Sequence, residues 1–248
     1  MSKLAVNSKF FQTWSSDMAY ILGFITADGC IGIKSRKEKK FRYFLNITNK
    51  DFLHLKNIKE TLSSQQKIHS KSNGQSKEKK YYCIQIEDKE ICRDLMGLGI
   101  LPRKTYNLNS VKVLDKYFSD FVRGFFDGDG SAYIYYVNKV PQIKASFVSV
   151  SLPFISGLNR RLCLGLDILE KSIHRVKSKG CRMEIYTICF YIDDCKKLYK
   201  FMYGSNPSLY LPRKRKIFEK WKSIKRGNYI KRNYPSKIGW RLNQKVFT

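Results

Sequence analysis

Several familiar features are missing from this sequence. No apolar run reaches the roughly eighteen residues that a membrane-spanning helix needs. The opening Met1-Ser2-Lys3-Leu4-Ala5-Val6-Asn7 has no apolar core of the secretory kind. The expectation is a soluble intracellular protein with no membrane partner, in a bacterial cytoplasm or an organelle. No C-x-x-C pair occurs, and the seven cysteines (Cys30, Cys83, Cys92, Cys163, Cys181, Cys189 and Cys195) are odd in number. That argues against a disulfide framework and against a zinc site, and they read as reduced thiols. Acid is scarce, with 20 Asp and Glu against 48 Lys and Arg, a net charge of +28. The surplus is spread along the chain and repels itself in any folded state, so a polyanionic partner is its natural reason. Nucleic acid leads, because each phosphate neutralised releases counterions; a membrane surface is the weaker rival.

What is present is a globular composition and an internal repeat. With 248 residues, 43% of them hydrophobic, the chain can bury one large core or two small ones. Ile21-Leu22-Gly23-Phe24-Ile25-Thr26-Ala27-Asp28-Gly29 lines up with Val122-Arg123-Gly124-Phe125-Phe126-Asp127-Gly128-Asp129-Gly130, 101 positions later. Asn49-Lys50-Asp51-Phe52 is aligned with Ser151-Leu152-Pro153-Phe154 at a spacing of 102, and Leu101-Pro102-Arg103-Lys104 recurs as Leu211-Pro212-Arg213-Lys214 at 110. Three markers in one order indicate a duplicated unit of about a hundred residues.

Each unit predicts the same order of elements. Ser15 or Ser16, and Ser119 in the second copy, cap helices that end where Asp-Gly arrives. Strand pairs follow at 30–36 with 41–49 and at 132–137 with 142–151, then helices over 51–62 and 153–164, a second strand pair and a last helix. The expected fold is therefore α+β, with residues 1–106 as the first half, 107–118 as linker, 119–222 as the second half and 223–248 as a basic extension. From Pro212 to Arg232 there are ten basic residues and one acid, which suits a phosphate-tracking tail or a solvated helix equally well.

In each repeated helix the small residues stand four apart, Gly23 with Ala27 and Gly124 with Gly128, so they share one face. A helix-interior glycine costs roughly 1 kcal/mol against alanine. Close packing of the two helices along those faces would compensate. Asp28 and Asp129 would then meet at one end of the pair, and adjacent carboxylates call for a divalent cation such as Mg²⁺, which binds through one or two carboxylates plus substrate oxygens and water. For a single copy, Asp-Gly merely ending a helix would be the better reading. A calcium loop starting at Asp127 fails, because Ala132 stands where its glycine belongs and Asn138 where its distal glutamate belongs.

Both nonapeptides resemble the LAGLIDADG motif of homing endonucleases and related intron maturases, and the resemblance runs from about Trp14 to Lys222. Thr26 departs from the pattern, replacing a common acid. The resemblance implies two pseudo-symmetric αββαββα halves, each with a saddle-like antiparallel sheet, packed through two central LAGLIDADG helices. It implies a monomeric chain that binds double-stranded DNA and makes a staggered metal-dependent break with 3′ overhangs. The metals, two or more Mg²⁺ with Mn²⁺ or Ca²⁺ as substitutes, would be held by Asp28 and Asp129 and by the carbonyls of Ala27 and Gly128. Lys104 and Lys214 would assist catalysis, with phosphate contact as their plainer role, and Asn49 and Ser151 would be polar partners of water.

A two-stranded ribbon fits the major groove with alternate side chains facing the bases. Lys34, Arg36, Arg42, Asn46, His69, Lys71 and Gln85 are the candidate DNA contacts of the first half. Tyr133, Tyr135, Lys144, Ser146, Arg175, Lys177, Arg182 and Glu184 are those of the second. The halves differ at nearly every such position, so the expected target is long and asymmetric. Three rivals remain: a maturase binding intron RNA, a catalytically silent DNA-binding regulator, and a basic RNA-binding structural protein. The last two leave the paired Asp-Gly helices without a purpose.

Overall fold

A computed structural model describes residues 4–35, 41–73, 76–104, 108–177 and 183–224. The expected contacts Arg36 and Arg182, and the basic extension from residue 225 onward, lie outside the described residues. Helix α1 (Ser16–Asp28) runs into strands β1 (Gly29–Ser35) and β2 (Phe41–Asn49), followed by α2 (Phe52–Thr61), β3 (Ile68–Asn73), β4 (Ser76–Ile86) and α3 (Lys89–Gly97). The order repeats as α4 (Phe118–Asp129), β5 (Ser131–Val137), β6 (Val140–Ser149), α5 (Leu152–Leu166), β7 (His174–Val176), β8 (Ile185–Tyr191) and α6 (Ile192–Tyr203). One more helix, α7 (Pro212–Ser223), follows in the second half. The fold is α+β, with two pseudo-symmetric halves.

Each half holds one four-stranded antiparallel sheet, ordered β1-β2-β4-β3 and β5-β6-β8-β7. Alternation along the strands sends Leu45, Ile47, Ile84 and Ile86 inward in the first sheet, and Ile143, Phe147, Ile188 and Phe190 in the second, all fully buried. Both inner faces and the two motif helices belong to one continuous core. In α1 every residue from Met18 to Thr26 is buried, as befits a helix surrounded by protein on all sides. Each large side chain sunk in this core, Phe24, Phe125 or Phe126 for instance, contributes roughly 1.5–3 kcal/mol by leaving water.

Two details correct the sequence reading. Ser15 does cap α1, its hydroxyl accepting from Met18 N at 3.1 Å, but Ser119 caps nothing. A 3₁₀ turn at Asp115–Tyr117 passes directly into α4, which starts at Phe118 without a side-chain cap. The second correction concerns register. Asn49 pairs with Tyr82 at the end of β2, and the residue pairing with Tyr186 at the end of β6 is Ser149, not Ser151. The hairpin of the second half is one residue shorter, so a linear spacing drifts out of step with the ladder.

Ser151 is instead the counterpart of Asp51 and the N-cap of α5, accepting from Phe154 N at 3.2 Å and donating to the carbonyl of Leu108. Ser151→Ala should therefore lower stability by about 1 kcal/mol in denaturant titrations, the usual cost of losing an N-cap. Unchanged stability in that variant would contradict the cap.

Candidate active site

The motif helices meet backbone to backbone. A Cβ built on Gly23 would stand 2.0 Å from Phe121 O, and one on Gly124 would stand 1.9 Å from Tyr20 O. No side chain fits there, so the two glycines are required by the close approach, not by their dihedral angles. At the far end a Cβ on Gly128 would lie 2.2 Å from Ala27 Cβ and 3.6 Å from Asp28 Cγ. Both aspartates therefore leave the helix pair at the same end.

Each acid has its own surroundings. Asn49 Nδ2 donates to Asp28 Oδ2 at 2.8 Å, which fixes that carboxylate from the end of β2. Asp28 opens on a cleft of about 600 Å³ shared with Asn49, Tyr81, Arg103, Lys104 and Arg213. Asp129 opens on a smaller, more apolar cavity of about 230 Å³, bounded by Lys104, Leu108, Phe125, Val148 and Ile185. The duplicated lysines sit on the helix ends. Lys104 Nζ donates to Thr26 O (2.5 Å) and Ala27 O (2.6 Å). Lys214 Nζ donates to Phe126 O (2.7 Å), Asp127 O (2.7 Å) and Gly128 O (2.9 Å). These are carbonyls of the last turns, most of them left without intrahelical partners (Phe126 O also accepts from Gly130 N at 2.8 Å), and a cation there also meets the negative end of each helix dipole.

The electrostatics follow from crowding. Burial pushes Asp28 upward, against the opposing hydrogen bond from Asn49 and the positive charges of Lys214, Lys104 and Arg213. Asp129 is pushed up to about 6, first by burial and then by the charge of Asp28, with Lys104 and Lys214 opposing. Burial also lowers both lysines, Lys214 to about 8. Two buried acids, one of them raised further by the charge of the other, form an anionic pair short of compensation, and a divalent cation supplies it. Among the described residues no cluster of three or more His, Cys, Asp or Glu forms a closed cage. The pair thus fits a hard cation that completes its shell with water and phosphate, not a zinc-like site. The carbonyls of Ala27 and Gly128 now accept from lysines, and each oxygen keeps a second lone pair.

Behind Asp129 lies a buried network that the sequence reading missed. Tyr20 OH donates to Asp127 Oδ2 at 2.7 Å and stands 3.1 Å from His54 Nε2, and Leu211 N donates to the same Asp127 oxygen at 2.7 Å. Nearby, the fully buried Arg123 is held by Asp120 Oδ1 (2.7 Å), Leu209 O (2.9 Å) and Met202 O (3.0 Å). The counterparts of Tyr20, His54 and Asp127 in the other half are Phe121, Phe154 and Thr26, whose hydroxyl turns back to Leu22 O at 2.8 Å. Comparing the two copies residue by residue, instead of looking only for what they share, would have exposed this.

Asp127 is pushed up to about 7 by burial, despite the Tyr20 hydroxyl and Leu211 N–H that favour its charge. The folded chain keeps this proton where the unfolded chain, with the ordinary value of 3.8, has lost it. The resulting stability is complete below about 3.8 and is lost as pH rises to about 7. Without metal, the melting temperature should therefore rise on acidification from about pH 7.5 to about 5.5. In Asp127→Asn that dependence should shrink, leaving the raised Asp28 and Asp129 opposed by His54, which burial lowers to about 4; an equal slope in both proteins would count against the assignment.

The registers sort the expected DNA contacts. Lys34 pairs with Arg42, Asn46 with Gln85, and His69 with Cys83, and Lys71 lies two residues on from His69, so all share the outward face of the first sheet. Tyr133, Tyr135, Lys144 and Ser146 share that face of the second. Arg175 does not. It pairs with Tyr186, whose neighbours in register point inward, and it bonds to Glu184, which also accepts from Tyr186 OH at 2.8 Å. Arg175 and Glu184 thus satisfy each other on the opposite face, and His174 takes the outward place in β7. Lys177 lies just beyond β7 and is exposed. Arg103 and Arg213, overlooked earlier inside the repeated tetrapeptide, line the cleft of Asp28, and Arg213 Nε bonds across the halves to Asp51 Oδ2 at 2.9 Å.

No protein-family model and no curated protein sequence matches the chain. Solved structures do. The LAGLIDADG meganuclease I-AabMI bound to uncleaved DNA superposes with a TM-score of 0.55 at 15% identity, over 83% of this chain and 88% of that one. The LAGLIDADG homing endonuclease I-GzeII in complex with its DNA target gives 0.53 at 12%, over 85% and 89%. I-DmoI in complex with DNA and Ca gives 0.52 at 15%, over 81% and 92%. At these identities the likeness is one of architecture, and the chain has the fold of the LAGLIDADG homing endonucleases.

Proposed function

We propose that this protein is a site-specific DNA endonuclease of the homing type, acting as a single chain on a long asymmetric duplex and cutting both strands with 3′ overhangs. The observation that carries the reading is the convergence of Asp28 and Asp129, one from each half, at the end of a glycine-to-glycine helix contact. The same junction adjoins both sheets, and the outward face of the first carries Lys34, Arg42 and Lys71. The structural neighbours, bound to DNA and in one case to calcium, support the choice of substrate and of a divalent ion.

In this reading Asp28 and Asp129 hold Mg²⁺, for which Mn²⁺ or Ca²⁺ can stand in, with the carbonyls of Ala27 and Gly128 beside them. When bound, such an ion polarises the phosphodiester and lowers the pKa of an attacking water. Asn49 keeps the Asp28 carboxylate oriented. Lys104 reaches both cavities and can place positive charge against a phosphate, while Lys214, only 5% exposed, secures the end of α4. Sheet side chains facing outward read base edges, and the remaining lysines track phosphates.

The reading is tested by incubating the protein and Mg²⁺ with a random-sequence duplex pool and sequencing the ends produced. Expected is one enriched, non-palindromic site with 3′ extensions on both strands. Ends scattered without an enriched site, or no ends, would remove the proposal.

A further inference from the structure

The two sheets present the same positions to the same side but fill most of them with different chemistry. Beside the hairpin, the cross-strand pair Lys34–Arg42 of the first sheet is matched in the second by Tyr135–Gln142. Asn46–Gln85 is matched by Ser146–Cys189. At the far strands Lys71–Tyr81 is matched by Val176–Ile185, with His69 and His174 as the fixed point between them. At these three places five long polar or charged side chains, Lys34, Arg42, Asn46, Gln85 and Lys71, give way to Tyr135, Gln142, Ser146, Cys189 and Val176, of which only Gln142 keeps long hydrogen-bonding reach; the pair Gly32–Phe44, matched by Tyr133–Lys144, runs the other way.

These apolar groups are not sunk in the core. Tyr133 is 48% exposed, Tyr191 44%, Ile185 37% and Val176 53%. Lys144, lying over the Tyr191 ring at 5.6 Å, is the one long basic side chain among the described outward positions of the second sheet. Val148 and Ile185 continue the apolar surface into the cavity of Asp129. Apolar surface left open beside an active site marks a binding surface, and its partner must offer apolar contact. In the major groove the apolar group on offer is the C5 methyl of thymine.

Building on the endonuclease reading, we infer that the two halves of the target are read by different chemistry. The half under the first sheet is read by hydrogen bonds and charge. The half under the second is read by contact of Tyr133, Ile185 and Val176 with thymine methyls.

The experiment takes a duplex selected by the full-length protein from a random pool and replaces thymine with deoxyuridine, which removes only the methyl, in one half or the other. Binding is measured by mobility shift in EDTA so that nothing is cut. Uracil in the half under the second sheet should weaken binding about fourfold per buried methyl, the ordinary value of one such group. Uracil in the other half should change affinity less than about twofold. Ile185→Ser, at a partly exposed position where folding can be confirmed by its melt, should lower the uracil effect in one half only and thereby identify that half. Lys71→Ala should leave that effect in place and flatten the salt dependence instead. Specific binding with equal or absent uracil effects in the two halves overturns the inference alone; a pool yielding no selected duplex overturns the endonuclease reading with it.

Discussion

Asp28→Asn and Asp129→Asn, each made singly, are expected to lower double-strand cutting by about a thousandfold or more, with duplex binding changed less than about threefold. A ligand that helps hold a Lewis acid supplies several kcal/mol of transition-state stabilisation, and each tenfold in rate is about 1.4 kcal/mol. Asparagine keeps the shape and removes the charge, so the helix contact at Gly128 and the bond from Asn49 have no steric reason to change. Phosphate contacts dominate affinity, and under the proposed function they come from lysines and arginines that neither substitution touches. Cleavage gels and mobility shifts on the same selected duplex measure both quantities. Full cutting by either variant would show that the acids do not form a shared site.

The second large effect is on stability. Alanine at position 124 would gain roughly 1 kcal/mol of helix propensity in an ordinary helix, yet its Cβ would stand 1.9 Å from Tyr20 O and 2.9 Å from Phe24 N. Both are backbone atoms of a helix packed on all sides, so relief requires the helices to part. Overpacking of this kind exceeds the propensity gain, and Gly124→Ala should lose about 3 kcal/mol, roughly 6–12 °C in Tm for a chain of this size. Gly157→Ala is the control. It lies in α5, where an added Cβ meets nothing within 4 Å, and it should gain about 0.5–1 kcal/mol. The same sign for both variants would refute the close-contact account.

The helix pairing, the convergence of Asp28 and Asp129 and the two four-stranded sheets could be read from sequence because each rests on a pattern written twice. Period-two alternation likewise placed Lys34, Arg42, Asn46, His69, Lys71 and Gln85 on one face. Features present in one copy only were harder to see. The Tyr20–Asp127–His54 network has no partner pattern, since its members stand far apart in the chain and become neighbours only through the helix pair. Ser151 was misassigned because the shorter hairpin brings the spacing between the halves from 101 at the motif down to 100 at the end of β6, so a spacing of 102 lands two residues too far, beyond the strand. Arg175 and Glu184 were misplaced for a different reason. Charge gave no clue, because a pair satisfied on the far side of a sheet has the same composition as one that faces a ligand.

The lopsided placement of Tyr20 and Asp127 also bears on ancestry. Were two copies of residues 118–224 to associate about a two-fold axis, Phe121 would occupy the place of Tyr20 in each, and both buried Asp127 carboxyls would lose their hydroxyl donor. Whatever self-pairing unit preceded the duplication, this sequence has since moved beyond any return to it. The tether between the halves now preserves a hetero-specific partnership that the second half could not rebuild with its own likeness.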